Sequence, residues 1–446
     1  MISRRAFLAS AAAVAASPAR RVRAQPAAWR AGVASADITP APGLWMAGYA
    51  ARATAATGTA MPLRGKALAI EHDRQRFVLV TVDLLGVTAA MRERIGVTLS
   101  RTHHLEAEAW MLAASHTHCG PVVDDQLSVA YDLDAGQRSA IAAYTNRLEA
   151  TITGLVGDAL ERLEPVGLAY GEGRATFGAN RRAQFLPPGP VDPAVPVLRV
   201  ARADGRPLAI VFGYACHNTT LQAAMTEFHG DYAGVAQREL ELRYPGSQAM
   251  FLAGCGADVN PSPRGTLALV EQHGAALADA VGVALGRVRS IEGSSAAGFE
   301  LADVPFATAP DRAGWLARQQ SEDIYVRRHA TLMLDRLNRD GTLELAHSEP
   351  IQVWRLGGLT LIALGGEVVT DYALRLKREH ASAGLWVAAY CNDVSCYVPS
   401  GRVLQEGGYE GGGAMIYYGR PGPFDTSVEQ RIVTTAGRLM RRLGVS

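Results

Sequence analysis

The strongest constraint on this chain is the regular alternation of short apolar runs with longer amphipathic stretches. Residues 77–83 (Phe-Val-Leu-Val-Thr-Val-Asp) read as a buried strand ending on a carboxylate, and 110–114, 208–214, 250–253, 359–364 and 386–390 share that unbroken apolar character. Further strands are predicted at 196–200 and near 351–356. Helical patterns fill the intervals at 89–100, 137–162, 231–243, 267–288, 312–338 and 370–380, with a last helix from about residue 425. Apolar strands without alternation need cover on both faces, so the pattern predicts an α/β fold, a mixed β-sheet core covered by helices. No period repeats and no Ser/Gly/Pro-rich linker divides the chain, which predicts one large domain.

Charge excludes one class of function. With 44 Lys+Arg against 43 Asp+Glu, the formal net charge of +1 gives no field to hold a phosphate backbone, so no nucleic-acid partner is expected. No obligate protein partner is implied either. The five cysteines, Cys119, Cys216, Cys255, Cys391 and Cys396, are too few and scattered for a disulfide framework. Stability must come from the core.

The N-terminal apolar run, 6–16, is well short of the roughly 20 residues that span a bilayer. It follows Arg4-Arg5 and precedes Val22-Arg23-Ala24, a small-x-small cleavage site, and these parts together describe a twin-arginine export signal over residues 1–24. The expected mature chain, 25–446, crosses the membrane folded and works in the periplasm or outside the cell.

Residues of the metal-ligand type gather where predicted strands end. The 110–114 strand runs into Ser115-His116-Thr117-His118-Cys119-Gly120-Pro121. In extended chain, residues two apart share a face, so His116 and His118 are expected to converge at the strand's carboxyl end. The 208–214 strand runs into Cys216-His217-Asn218, and a histidine on the same rim of the sheet can join that pair. Asp231, in His229-Gly230-Asp231-Tyr232, reads either as a helix N-cap or as a carboxylate that orients an imidazole. Glu367 leaves a core strand after Gly365-Gly366, and Cys391-Asn392-Asp393-Val394-Ser395-Cys396-Tyr397 follows another. Two histidines and a carboxylate make a catalytic zinc set with a place left for water, and a tyrosine can add a fourth oxygen. Asn180-Arg181-Arg182 and Tyr409, taken alone, read as a solvated basic turn and a loop aromatic.

In their order these segments resemble the neutral, non-lysosomal ceramidase family, zinc amidohydrolases that cleave the N-acyl bond of ceramide. The likeness runs from Ala36-Asp37-Ile38-Thr39-Pro40 and Met46-Ala47-Gly48-Tyr49, through Leu63-Arg64-Gly65-Lys66-Ala67 and His116-Thr117-His118, to Cys391-Asn392 and Tyr409-Glu410-Gly411. It implies a Zn2+ ion held by His116, His217, Glu367 and Tyr397, with His118 on the substrate side, Arg181 as the active-site arginine and Tyr409 near the scissile carbonyl. Asn260, in Asp258-Val259-Asn260-Pro261, stands where the family carries a serine. An amide cannot attack a carbonyl, so Asn260 is expected to hydrogen-bond a substrate hydroxyl or an oxyanion. The chain ends soon after the tyrosine loop, so the family's C-terminal immunoglobulin-like domain is expected to be missing.

The activity expected from the resemblance is zinc-dependent hydrolysis of a linear amide, with ceramide or a ceramide-like N-acyl lipid as substrate and room for peripheral membrane contact. The alternatives are an N-acyl hydrolase for a non-sphingolipid substrate, a cysteine hydrolase using Cys119, Cys216 or Cys255, and a zinc- or lipid-binding relative without turnover.

Overall fold

A computed structural model describes residues 29–185, 187–380 and 384–445, so the expected export signal over 1–24 and its cleavage site lie outside the described residues. Eight strands form the central sheet: β1 (Trp29–Asp37), β2 (Arg64–His72), β3 (Gln75–Val82), β4 (Trp110–Ala114), β5 (Glu164–Arg174), β6 (Ala194–Arg202), β7 (Pro207–Tyr214) and β8 (Gln248–Ala253). Their spatial order is β8-β7-β6-β5-β1-β2-β3-β4, with Arg289–Ser290 added beside β5. The two edge pairs are parallel, joined through α1 (Ala89–His103) and α3 (Asp231–Arg243), and every pair between them is antiparallel. The fold is mixed α/β, as expected.

Alternation along each strand divides the core. In β3, Val78, Val80 and Val82 pack with Met91 and Ile95 of α1 and Ile152 of α2 (Ala135–Glu161). Phe77 and Leu79 point the other way, onto Trp354, Leu361 and Trp386 of a second sheet. That sheet has the order β9-β10-β11-β12, from Ser295–Pro305, Ala346–Leu356, Leu359–Leu364 and Leu385–Ala388. Helices α4 (Leu267–Leu285), α7 (Thr370–Glu379) and α8 (Val428–Arg442) share a third apolar cluster with Ile210, Phe212 and Phe251 of the central sheet. The charged stretch predicted as one helix over 312–338 is instead two, α5 (Arg312–Arg318) and α6 (Ile324–Asp340). Each starts on an aspartate cap: Asp311 accepts from Gly314 N, and Asp323 accepts from Tyr325 N and Val326 N. The second cap restarts the helix where the charge pattern runs on.

The sheet's path corrects one expectation. Five antiparallel pairings separate β4 from β7, so these strands run in opposite directions and a flat sheet would place their carboxyl ends on opposite rims. They meet because the sheet folds over until β8 touches β3 and β4. Chain after β12 seals the join: Ala113 bridges Cys391, and Asn392 accepts from Leu112 N and donates to Gln352 Oε1.

Candidate active site

β4 ends at Ala114 and the chain turns at once, with His116 in the left-handed region at φ 58°. The His116–His118 pair therefore converges by a turn and not by strand alternation, which corrects the reason given for it above. Thr117 bridges Asn218, and this lays the turn beside the loop after β7 that carries His217. Glu367 and Tyr397 arrive together, because Glu367–Val368 and Tyr397–Val398 pair as short parallel strands with these two residues in register.

The imidazoles are oriented from behind. His116 Nδ1 lies 2.7 Å from the carbonyl oxygen of Leu85, and His217 Nδ1 lies 3.0 Å from that of Gly256. A carbonyl only accepts, so each Nδ1 carries the proton and each Nε2 presents a lone pair. Both Nε2 atoms stand 3.1 Å from the same oxygen, Glu367 Oε2, which has no hydrogen-bond donor. Three buried acceptors converging on one point need a proton or a cation among them, and this donor set fits zinc. Tyr397 Oη completes the group, 3.2 Å from His217 Nε2, and it accepts from Arg181 Nη2 at 3.0 Å. Burial lowers His217 to about 4, so its ring is neutral near pH 7 and free to ligate.

His118 belongs to the same cluster. Its Nε2 is 3.2 Å from His116 Nε2, and the three histidines offer ring nitrogens within 4.8 Å of one another. Burial, then the neighbouring His116, holds it well below the ordinary histidine value. Its Nδ1 has no partner, and its ring lies against Gly48, whose φ is +98°. A Cβ at Gly48 would fall 2.5 Å from His118 Nδ1, so only glycine lets the 46–49 segment pass.

Beside this cluster lies a cavity of about 230 Å³. Its polar wall holds His118, Glu367 and Tyr397, and Ala50, Leu127 and Tyr417 lie among its other lining residues. Tyr409, half exposed, also lines it, with the Arg181 guanidinium 5.6 Å from its ring. The Arg181-Arg182 turn is not a solvated one. Arg181 Nε and Arg182 Nη1 each donate at 2.6 Å to a different oxygen of Glu410, and Arg182 is buried. Burial alone would lower Arg181, but Tyr397 and Glu410 beside it keep it charged.

Two expected residues have other surroundings. Asn260 pairs opposite Ala179, and its Oδ1 accepts from Thr219 Oγ1 at 3.4 Å; it is not among the cavity's lining residues. The carboxylate of Asp231 accepts from the backbone N–H groups of Thr220, Leu221 and Tyr232, which fixes the loop after His217. The five cysteines are free and buried, and burial pushes Cys119 up to about 12, which leaves it inert as a nucleophile.

Sequence reasoning missed three contributors. Tyr418 donates to Glu367 Oε1, Tyr390 lays its ring 4.3 Å from that of His116, and Glu410 clamps both arginines. Glu410 stood inside a quoted segment, but a partner 229 positions away leaves no local signal.

Comparison with known proteins agrees with this picture. The profile of the family described as neutral/alkaline non-lysosomal ceramidase, N-terminal, matches residues 29–262. The crystal structure of a neutral ceramidase from Pseudomonas aeruginosa is similar over 94% of this chain and 75% of its own, with a TM-score of 0.74 and 20% identity. A structure titled as a ceramidase complexed with C2 is similar over 94% and 76%, with a TM-score of 0.71 and 20% identity. No curated protein matches. With its profile match spanning more than half of the residues, the chain belongs to the neutral/alkaline non-lysosomal ceramidase family.

Proposed function

We propose that this protein is a zinc-dependent amidohydrolase that cleaves the N-acyl bond of ceramide or a ceramide-like lipid. The observation that carries the reading is the convergence of two Nε2 lone pairs on a donorless Glu367 oxygen at the edge of a cavity. Zinc, when held by His116, His217, Glu367 and Tyr397, supplies Lewis acidity and a water that is nucleophilic near neutral pH.

The chain's own residues do the rest. The Leu85 and Gly256 carbonyls hold the two ligand imidazoles in the tautomer that ligates. Tyr418 occupies Glu367 Oε1 and leaves Oε2 for the cation. His118 begins neutral and lines the cavity beside the ligand histidines, so it is the candidate to take a proton from the water and deliver it to the leaving amine. Tyr409 lines the cavity and can stabilise the charge that grows on the carbonyl oxygen, with the Arg181 guanidinium over its ring adding positive potential. Tyr409 and Tyr417 give the cavity aromatic surface on which an acyl chain can pack.

Hydrolysis of short- and long-chain N-acyl substrates by purified protein, with and without chelator, tests the reading. Chelation is expected to abolish activity, while Asn260→Ala is expected to retain it, lowered or with a shifted substrate preference, because no hydroxyl is needed at that position. Activity that survives thorough chelation would sink the zinc mechanism. A preference for N-acyl amino acids or N-acyl sugars over ceramides would keep the chemistry and replace the substrate.

The Arg4-Arg5 pair and the cleavage site after Ala24 support export in folded form. Changing both arginines to lysine is expected to hold a folded precursor inside the cell. Cell fractionation is the check, and processed protein in the periplasm would mean a different route.

A further inference from the structure

The cavity beside the histidine cluster is small for a lipid. Its volume of about 230 Å³ falls below the roughly 300–1,000 Å³ of pockets that enclose a drug-sized ligand, and a long-chain N-acyl lipid is larger still. One side of it is bounded by a residue that the proposed reaction does not use. Tyr325, in the first turn of α6, donates its hydroxyl to the Ala50 carbonyl at 3.1 Å and lays its ring 5.3 Å from that of Tyr417. Ala50 and Tyr417 both line the cavity, so Tyr325 ties two of its walls together from behind.

The tie is itself held in place. Asp323 caps α6 by accepting from Tyr325 N, and Arg327 Nη1 donates to the carbonyls of Ser321 and Glu322, which pins the chain before the cap. Further along α6, His329 Nε2 lies 2.8 Å from the Arg420 carbonyl oxygen, and Arg336 Nη1 donates to that of Gly419. Gly419 is at φ +62°, and a Cβ there would fall 2.8 Å from Leu332 Cδ2, so the helix sits directly on the loop that carries Tyr417. Beyond this partition lies an open groove of about 590 Å³, whose lining includes Val129, Ile324 and Leu332. Leu127 and Ala130 line the cavity while Ser128 and Val129 line the groove, so the 127–130 turn and residues 324–325 separate the two.

We propose that Tyr325 sets the length of the acyl arm this cavity accepts, so that the substrates are N-acyl compounds with a short acyl chain. The inference rests on the hydrolase reading and narrows its substrate class. An acyl chain that packs on Tyr409 and Tyr417 follows rings that lead to Tyr325, since the Tyr409 ring lies 6.2 Å from that of Tyr417 and the next step is 5.3 Å. A longer chain reaches the groove only by parting Tyr325 from Ala50 and Tyr417, which costs a hydrogen bond and an aromatic contact. Tyr325 is thus a positioning residue that acts through Ala50 and Tyr417.

The test is a ladder of N-acyl sphingoid amines that differ only in the acyl arm: acetyl, hexanoyl and palmitoyl. For the parent, Tyr325→Ala and Tyr325→Phe, kcat/KM is measured on zinc-loaded protein and equilibrium binding on chelated protein. The parent is expected to favour acetyl over palmitoyl, and Tyr325→Ala to raise the palmitoyl-to-acetyl ratio by at least about 10-fold. Tyr325→Phe keeps the ring but releases Ala50, and is expected to raise that ratio by about 2- to 10-fold; it decides the matter should Tyr325→Ala not fold. A parent that prefers the palmitoyl compound overturns the proposal, as does a ratio that the folded variants leave unmoved while all members of the ladder weaken alike. If no member is turned over, the hydrolase reading fails, and the binding ladder still decides whether Tyr325 limits chain length.

Discussion

Replacing His217 with alanine is expected to lower the metal content by one equivalent per chain and to cut kcat/KM by at least about 10³-fold. The ring contributes an Nε2 lone pair 3.1 Å from Glu367 Oε2, and its Nδ1 bond to Gly256 leaves it no other orientation. On the proposed reading, losing one of four donors would weaken both the hold on the cation and the activation of its water. His116→Ala is expected to behave alike. Activity lost with the metal content unchanged would move His217 from metal binding to substrate handling, so parallel metal analysis and kinetics are the measurement.

The second large effect is expected at Glu410. Its two oxygens receive Arg181 and Arg182, and the side chains of Arg182 and Glu410 are 1% and 5% exposed. Glu410→Ala leaves Arg182 only its bonds to Glu406 and the Gly407 carbonyl and is expected to destabilise the fold by about 1.5–3 kcal/mol, beyond its effect on catalysis through Arg181. Burial alone would raise the Glu410 carboxyl, but Arg181 and Arg182 hold it below the usual range. The sign follows from linkage: a depressed folded value contributes stability above the unfolded value of about 4.3, and that contribution is lost as pH falls through the folded one. Thermal melts across pH should therefore show a wide gap between wild type and Glu410→Ala near neutrality that narrows in acid. A gap that widens in acid, or a variant as stable as the parent at pH 7, would contradict the buried clamp.

The α/β class and the strand ends where the candidate residues stand were legible in the sequence. Unbroken apolar runs such as 77–82 report burial on both faces, and His116, His217 and Glu367 each follow such a run within a few residues. The family resemblance rested on short segments in order, and the chemistry of those residue types is local. Strands such as β5 and β9 escaped because their exposed positions break the apolar run, and the break within 312–338 escaped because an aspartate cap looks like one more surface charge. The tertiary structure alone decided how the site closes. Strand direction alternates across five antiparallel pairings, so only the folding over of the sheet brings the ends of β4 and β7 together. Likewise Glu410 meets Arg181 and Arg182, and Tyr418 meets Glu367, through contacts between segments distant in sequence. Periodicity records which face of an element is buried. It carries no record of which distant segment buries it, and the charged and aromatic partners of this site are supplied from there.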